Sequence, residues 1–167
     1  MKTCSPFASI ACAALTSAAA PLPSQTLGSA APDFTLKTLA GDSARLSTFR
    51  GRPVFLNFWA SWCTPCRTEM YDIIIAYNAH KDEGLAVLAI DLTDQEHTKD
   101  VQKFVNELEM PFPVLLDEKG KIRKRYALRG VPTSVFIDAQ GVVRVVHPGP
   151  ITSEAIQQGL AEILPAR

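Results

Sequence analysis

The chain has 167 residues, of which 47% are apolar, and its 17 basic residues balance its 17 acidic ones. This length and apolar content suit one domain with a proper core and exclude a mostly disordered chain. Zero net charge argues against nucleic acid or an anionic membrane as the main partner. No stretch reaches the roughly 20 apolar residues that a membrane-spanning helix needs.

Residues 1–20 have the pattern of a secretory signal peptide. Lys2 gives a positive start, residues 7–20 are apolar or small, and Ser17 to Ala19 offer small residues for cleavage. Two alternatives stay open, namely a lipoprotein signal modified on Cys12 and a disordered tail. Export would place the protein in the periplasm or cell envelope, where disulfides form.

A linker and a hairpin are predicted next. Residues 21–30 are rich in Pro, Ser and Gly, which indicates a linker, so we expect the folded domain at residues 31–167. Apolar residues on both sides of the turn at 40–42 predict an N-terminal β-hairpin.

Two cysteines lie at the junction between a predicted buried strand and a predicted helix. The run Pro53 to Phe58 is mostly apolar and indicates the strand. The helix is indicated by apolar residues at i, i+3, i+4 and i+7, which are Met70, Ile73, Ile74 and Tyr77. Cys63 and Cys66 therefore fall at the start of a helix.

That position favours thiol chemistry. A helix N-terminus has unpaired N–H groups and the positive end of the dipole, so a thiolate there is stabilised and its pKa falls. Cys63 precedes the first turn and is expected to be the more exposed, attacking thiol, while Cys66 is the resolving thiol. Pro65 suits the first turn because its missing N–H has no helical partner to lose.

Glu69 lies one helical turn beyond Cys66. A half-buried carboxyl group there would have a raised pKa and could exchange a proton with Cys66. Alternatively, Glu69 is an acid that only complements the helix dipole. Spacing does not decide between the two. Asn57, on the strand that leads into the site, cannot titrate.

A zinc site is the other common use of two cysteines with this spacing, but it needs two more ligands. The remaining cysteines, Cys4 and Cys12, lie in the predicted signal peptide. The histidines show no ligand spacing; they are His80, His97 and His147. We therefore expect no metal and no cofactor.

The rest of the chain alternates strands and helices. Strands are predicted at 85–90, 114–116, 133–137 and 142–146, and helices from Val101 to Leu108 and after a cap at Thr152 or Ser153. The five basic residues within 119–125 favour a solvated face, with a docking patch for an acidic partner or a membrane as the alternative. The pattern predicts an α/β fold with helices on both faces of a central sheet.

Several segments resemble the thioredoxin superfamily. Phe58 to Cys66 is similar to its active-site segment, and Glu69 matches the acid of its TlpA/ResA-like extracytoplasmic branch. Ala31 to Leu36 resembles an opening segment shared with the peroxiredoxins, and Gly130 to Asp138 resembles the cis-proline segment. Asn57 departs from thioredoxin, which has a buried aspartate there.

The resemblance implies a thioredoxin-like fold, a central mixed sheet flanked by helices with an N-terminal β-hairpin extension. It also implies a cis Pro132 near the sulfurs and a Cys63–Cys66 disulfide. A free Val131 backbone would pair with an extended substrate. We expect the substrate-contacting residues to be Trp62, Pro65, Val131 and Pro132.

The predicted activity is thiol–disulfide exchange on protein substrates by a monomer. Thr64 and Pro65 add no cation beside Cys63, which favours a reductant over an oxidant. The resemblance implies roles such as reduction of apocytochrome c or of copper-site cysteines, with a membrane thiol reductase as electron donor. Two alternatives are a copper-binding chaperone and a peroxidase. A peroxiredoxin has Thr three residues before its reactive cysteine, where this chain has Ala60.

Overall fold

The computed structural model describes residues 27–92 and 98–165. The predicted signal peptide at 1–20, residues 21–26 of the predicted linker and His97 lie outside the described residues. Of the linker's remaining residues, Gly28 donates a hydrogen bond to the Val143 carbonyl and Ser29 accepts one from the Val143 N–H. The last part of the predicted linker is therefore attached to the sheet.

Within the described residues, seven strands form one mixed sheet in the order β2-β1-β5-β4-β3-β6-β7. They are β1 (Thr35–Thr38), β2 (Ser43–Arg45), β3 (Val54–Trp59), β4 (Ala86–Asp91), β5 (Val114–Leu116), β6 (Thr133–Ile137) and β7 (Val143–Pro148). The central strands β3, β4 and β5 are parallel, and the outer pairs are antiparallel. The predicted N-terminal hairpin is β1 and β2, which extends the sheet beside β5.

The described ranges contain four α-helices: α1 (Thr64–His80), α2 (Thr98–Glu107), α3 (Lys121–Arg125) and α4 (Ser153–Ala161). Short 3-10 helices span Leu46–Phe49 and Lys81–Glu83. None of the helices in the described ranges is long and apolar enough to cross a membrane.

The core has two layers, one on each face of the sheet. Successive side chains of a strand point to opposite faces, so Phe55 and Trp59 of β3 pack with α1, α2 and α4. Leu56 and Phe58 pack on the other face with α3 and the segment before β1. Because every residue of β3 is buried, the strand that leads into the cysteines is held on both sides.

The last strand and the apolar pattern of α1 differ from the predictions. The last strand runs to Pro148 because Pro148 pairs with Thr133, whereas Val142 forms an isolated bridge with Ala30. On α1 the predicted inward residues Met70 and Ile73 are buried, but the apolar residues Tyr71 and Ile75 are exposed on the opposite face. The helix is therefore less strictly amphipathic than its spacing predicted.

Candidate active site

The turn between β3 and α1 places Cys63 at the N-cap of the helix. The Cys63 N–H donates to the Ala60 carbonyl at 3.1 Å, and the Cys63 carbonyl accepts from the Arg67 N–H at 3.2 Å. Pro65 lies in the first turn of α1, where a missing N–H breaks no helical hydrogen bond. This is the strand-to-helix junction that the sequence predicted.

Cys63 and Cys66 form a disulfide with an S–S distance of 2.04 Å. The Cys66 N–H points at the Cys63 Sγ atom, 3.3 Å away. Donors at a helix start stabilise negative charge, so this N–H favours a thiolate on Cys63 once the bond is reduced. Cys63 is 4% exposed and Cys66 is fully buried, so Cys63 is the more accessible sulfur by a small margin only.

Glu69 is buried more deeply than the sequence suggested, with only 2% of its surface exposed. Its Oε1 atom accepts from the Asn57 amide nitrogen at 2.8 Å, and its Oε2 atom accepts from the Ile151 N–H at 3.0 Å. Burial raises the pKa of Glu69 to about 7, and the hydrogen bonds from Ile151 and Asn57 oppose that rise because they stabilise the carboxylate. A carboxyl group with this pKa can take up and release protons near neutral pH.

Asn57 lies at the centre of a small polar group inside the core. Its Nδ2 atom donates to Glu69 and also contacts the Ser134 hydroxyl at 3.3 Å, while its Oδ1 atom is buried with no hydrogen-bond partner in the part of the chain that the structure describes. Sequence reasoning missed Ser134 and Ile151. Ser134 is a polar residue within the buried strand β6, which was an available signal, whereas the type and position of Ile151 carry none. For Asn57 the signal was a polar residue within a buried strand.

The remaining predicted site residues lie around this centre. Trp62 is 57% exposed, and Pro65 is also exposed. The Val131–Pro132 peptide bond is cis, as the resemblance implied. Thr133 pairs with Phe58, one residue before Trp59. The pairing register therefore places Val131 and Pro132 at the end of the sheet where β3 ends and the turn that carries the cysteines begins.

The described histidines lie elsewhere. His80 ends α1 and His147 is in β7, where it contacts the Pro150 carbonyl. Within residues 27–92 and 98–165, no group of three or more His, Cys, Asp or Glu side chains is arranged to hold a metal ion.

Comparison with known proteins places this geometry in a family. Residues 27–146 match the model of the AhpC/TSA family. The chain is similar to thioredoxin-like protein YneN of Bacillus subtilis, with 40% identity over 134 residues covering 80% of this chain and 78% of that protein. It is also similar to thiol-disulfide oxidoreductase ResA of Geobacillus kaustophilus, with 37% identity over 139 residues covering 83% of this chain and 79% of that one.

The solved structures agree. A crystal structure described as a putative thiol:disulfide interchange protein DsbE from Chlorobium tepidum superposes with a TM-score of 0.77 at 36% identity, covering 83% of this chain and 97% of that one. This confirms the predicted thioredoxin-like fold. The chain thus belongs to the AhpC/TSA family and is a thiol–disulfide oxidoreductase of the ResA/DsbE type.

Proposed function

We propose that this chain is an extracytoplasmic reductant of protein disulfides that works through a Cys63–Cys66 dithiol cycle. The observation that carries the proposal is the Cys63–Cys66 disulfide at the start of α1, with the Cys66 N–H aimed at the Cys63 sulfur at 3.3 Å. Such a donor stabilises the attacking thiolate and not the resolving thiol.

The cycle starts from the reduced protein. The Cys63 thiolate attacks one sulfur of a client disulfide, which forms a mixed disulfide and releases one client thiolate. Glu69 accepts the proton of Cys66, and the Cys66 thiolate then attacks Cys63 Sγ. This step forms the Cys63–Cys66 bond and releases the second client thiolate. The client gains two electrons, and the chain loses two.

The surface around Cys63 fits an extended protein client. Trp62 offers an exposed indole ring beside the attacking sulfur, and aromatic rings of this kind bind apolar side chains with little loss of conformational freedom. The Val131 backbone is proposed to pair with the client strand, and Pro65 and Pro132 are proposed to contact it.

The charges near the cysteines support a reductant. Arg67 follows Cys66 directly, but its guanidinium lies over the Phe104 ring at 4.4 Å and forms an ion pair with Glu107 at 3.0 Å. A cation bound in this way is turned to α2 and adds little to the stability of a Cys63 thiolate. The reduced form is therefore not strongly stabilised, and it readily gives up its electrons.

The proposed location and clients are supported by the N-terminal sequence pattern and by the resemblance to the TlpA/ResA-like branch. We propose that residues 1–20 direct export to the periplasm or cell envelope, with a lipid on Cys12 as the alternative. The clients are proposed to be disulfides of apocytochrome c or of related envelope proteins, and the electron donor a membrane thiol reductase. We propose that the mature protein acts as a monomer.

Client trapping tests the cycle. In Cys66→Ser, Cys63 can attack but nothing resolves the product, so envelope proteins should accumulate in mixed disulfides that dithiothreitol releases. The matched control carries Cys63→Ser and Cys66→Ser together and should trap none. Equal amounts of trapped protein in both variants would refute the assignment of Cys63 as the attacking thiol.

A further inference from the structure

Asn57 meets both of its polar neighbours, Glu69 and Ser134, with the same atom, its Nδ2. The side chain is fully buried. Its Nδ2 atom is 2.8 Å from Glu69 Oε1 and 3.3 Å from Ser134 Oγ, while its Oδ1 atom has no hydrogen-bond partner among residues 27–92 and 98–165. Buried polar atoms are nearly always paired, and an unpaired acceptor is costly. The arrangement therefore needs an explanation.

The observed arrangement serves only the ionised form of Glu69. Each of its two oxygens faces a donor, the Asn57 amide at Oε1 and the Ile151 N–H at Oε2. A protonated carboxyl group has an O–H that must itself donate. In this arrangement no neighbour at either oxygen accepts that hydrogen, so the neutral form would lose a buried hydrogen bond.

We propose that Asn57 is a positioning residue whose side-chain amide flips when Glu69 takes up a proton, so that its Oδ1 and Nδ2 atoms exchange places. After the turn, Asn57 Oδ1 accepts hydrogen bonds from the protonated Glu69 Oε1 and from the Ser134 hydroxyl. The proposal rests on the proposed function, because it gives Glu69 a partner in both protonation states of the cycle.

The geometry permits this exchange with little movement. The oxygen and nitrogen of an amide are nearly equal in size, so the turn changes the packing little. It carries the Nδ2 group to the side where Oδ1 has no hydrogen-bond partner among the described residues. The Ser134 hydroxyl can donate or accept, and it therefore serves either orientation. The Ile151 N–H stays on Oε2, which remains an acceptor when the proton is on Oε1.

The ionisable side chains on the elements packed around Glu69 can also act on its protonation. Strands β3 and β6 carry no ionisable side chain. Of the other elements, α1 carries Cys66, Arg67, Asp72 and His80, and β4 carries Asp91. Helix α2 carries Lys99, Asp100, Lys103 and Glu107, β7 carries Arg144 and His147, and α4 carries Glu154. In the oxidised chain Cys66 is held in the disulfide and does not titrate. Arg67 is paired with Glu107, and Glu154 is exposed beside Thr152.

The test is nuclear magnetic resonance on the full oxidised chain labelled at Asn and Glu. The readout is the scalar coupling across the hydrogen bond between Asn57 Nδ2 and the Glu69 carboxyl carbon. We expect the coupling to be present at about pH 8.5 and lost at about pH 5, with the same midpoint as the Glu69 carboxyl carbon shift. Asn106 is the internal control. Its exposed side chain accepts a hydrogen bond from Gln102 at 2.8 Å, so the shifts of its side-chain amide should not follow the Glu69 midpoint.

Two variants complete the test. Glu69→Gln should abolish the pH dependence at Asn57. Asn57→Leu should raise the Glu69 midpoint by about one pH unit, because the carboxylate loses a donor. A coupling that persists at the lower pH, or a Glu69 carbon that does not titrate, overturns the proposal and leaves the cysteine cycle standing. A failure to trap clients with Cys66→Ser would instead count against the cycle and leave this measurement intact.

Discussion

Glu69 on α1 accepts a hydrogen bond at 3.0 Å from the backbone N–H of Ile151, just before the cap of α4. The loop that carries Ile151 is also tied to the proline segment, since the Gly149 N–H donates to the Pro132 carbonyl at 2.9 Å. One buried carboxyl group therefore joins the helix of the cysteines to the segment that follows β7. Its protonation state matters for stability as well as for the proposed chemistry.

Stability should fall as the pH rises through the range where Glu69 ionises. Burial raises the pKa of Glu69 from 4.5 to about 7, so between these values the folded state binds more protons than the unfolded state. The linkage relation then makes the free energy of unfolding decrease with pH, by roughly 3 kcal/mol in all. This contribution is fully present below about pH 4.5 and is lost as the pH passes about 7.

The measurement is urea unfolding of the oxidised protein at several pH values, with Glu69→Gln as the comparison. The amide cannot ionise, so the variant should lack this decrease and gain stability relative to the parent as the pH rises from about 5 to about 8. Parallel curves for the two proteins would mean that Glu69 keeps an ordinary pKa in the fold.

Gly159→Ala should destabilise the protein although alanine is the better helix former. A Cβ atom at this α4 position would lie 2.5 Å from the Phe136 ring, which stacks on Phe55 at 4.4 Å. Overpacking costs about 1–3 kcal/mol, which exceeds the gain of about 1 kcal/mol from helix propensity. Thermal unfolding should show a lower midpoint for this variant.

The neighbouring exposed residue gives the control for Gly159. Gln158→Ala meets no ring and should change stability by less than about 0.5 kcal/mol. Replacing the Phe136 ring by a smaller side chain, in Phe136→Leu, should reduce the loss of stability that Gly159→Ala causes. The two residues are in contact, so their effects on stability are not additive. A Gly159→Ala protein as stable as the parent would show that Phe136 moves away at no cost.

Asp117→Ala should weaken α3. The Asp117 carboxylate is buried, and its Oδ2 atom accepts from the N–H groups of Ile122 and Arg123 at 3.0 and 2.8 Å. These two N–H groups lie in the first turn of α3, where they have no helical partner. Loss of the cap should therefore lower the free energy of unfolding by roughly 1–2 kcal/mol. Denaturant unfolding measures the loss. Glu118→Ala, at an exposed neighbour, should change stability little, and an equal loss in both variants would contradict the capping role.

Peroxide turnover should stay slow. A peroxiredoxin places a threonine hydroxyl three residues before its reactive cysteine, whereas Ala60 here offers only its backbone carbonyl, which accepts from the Cys63 N–H. The reduced protein should consume hydrogen peroxide no faster than a free cysteine thiolate of the same ionised fraction. Rapid, saturable consumption that Cys63→Ser abolishes would instead favour the peroxidase function.

The sequence alone was enough to predict the alternation of strands and helices along the chain and the strand-to-helix junction that carries the cysteines. Apolar runs and helical spacing are local properties, so they located the buried strands β3 and β4 and the start of α1. The segment around Pro132 was recognised by resemblance, and the structure has the cis bond that it implied. The end of β7 was missed because Pro148 is held by its partner Thr133 and not by its own neighbours.

Only the tertiary structure decided the environment of Glu69. Its place one turn after Cys66 was visible in the sequence, but two opposite roles fitted that spacing. Its depth of burial depends on how α1, β3 and α4 pack together, and its hydrogen bonds come from Asn57 and Ile151, 12 and 82 positions away in the chain. A pKa is set by the solvent and donors around a group, and the fold brings these together from distant segments that no local pattern connects.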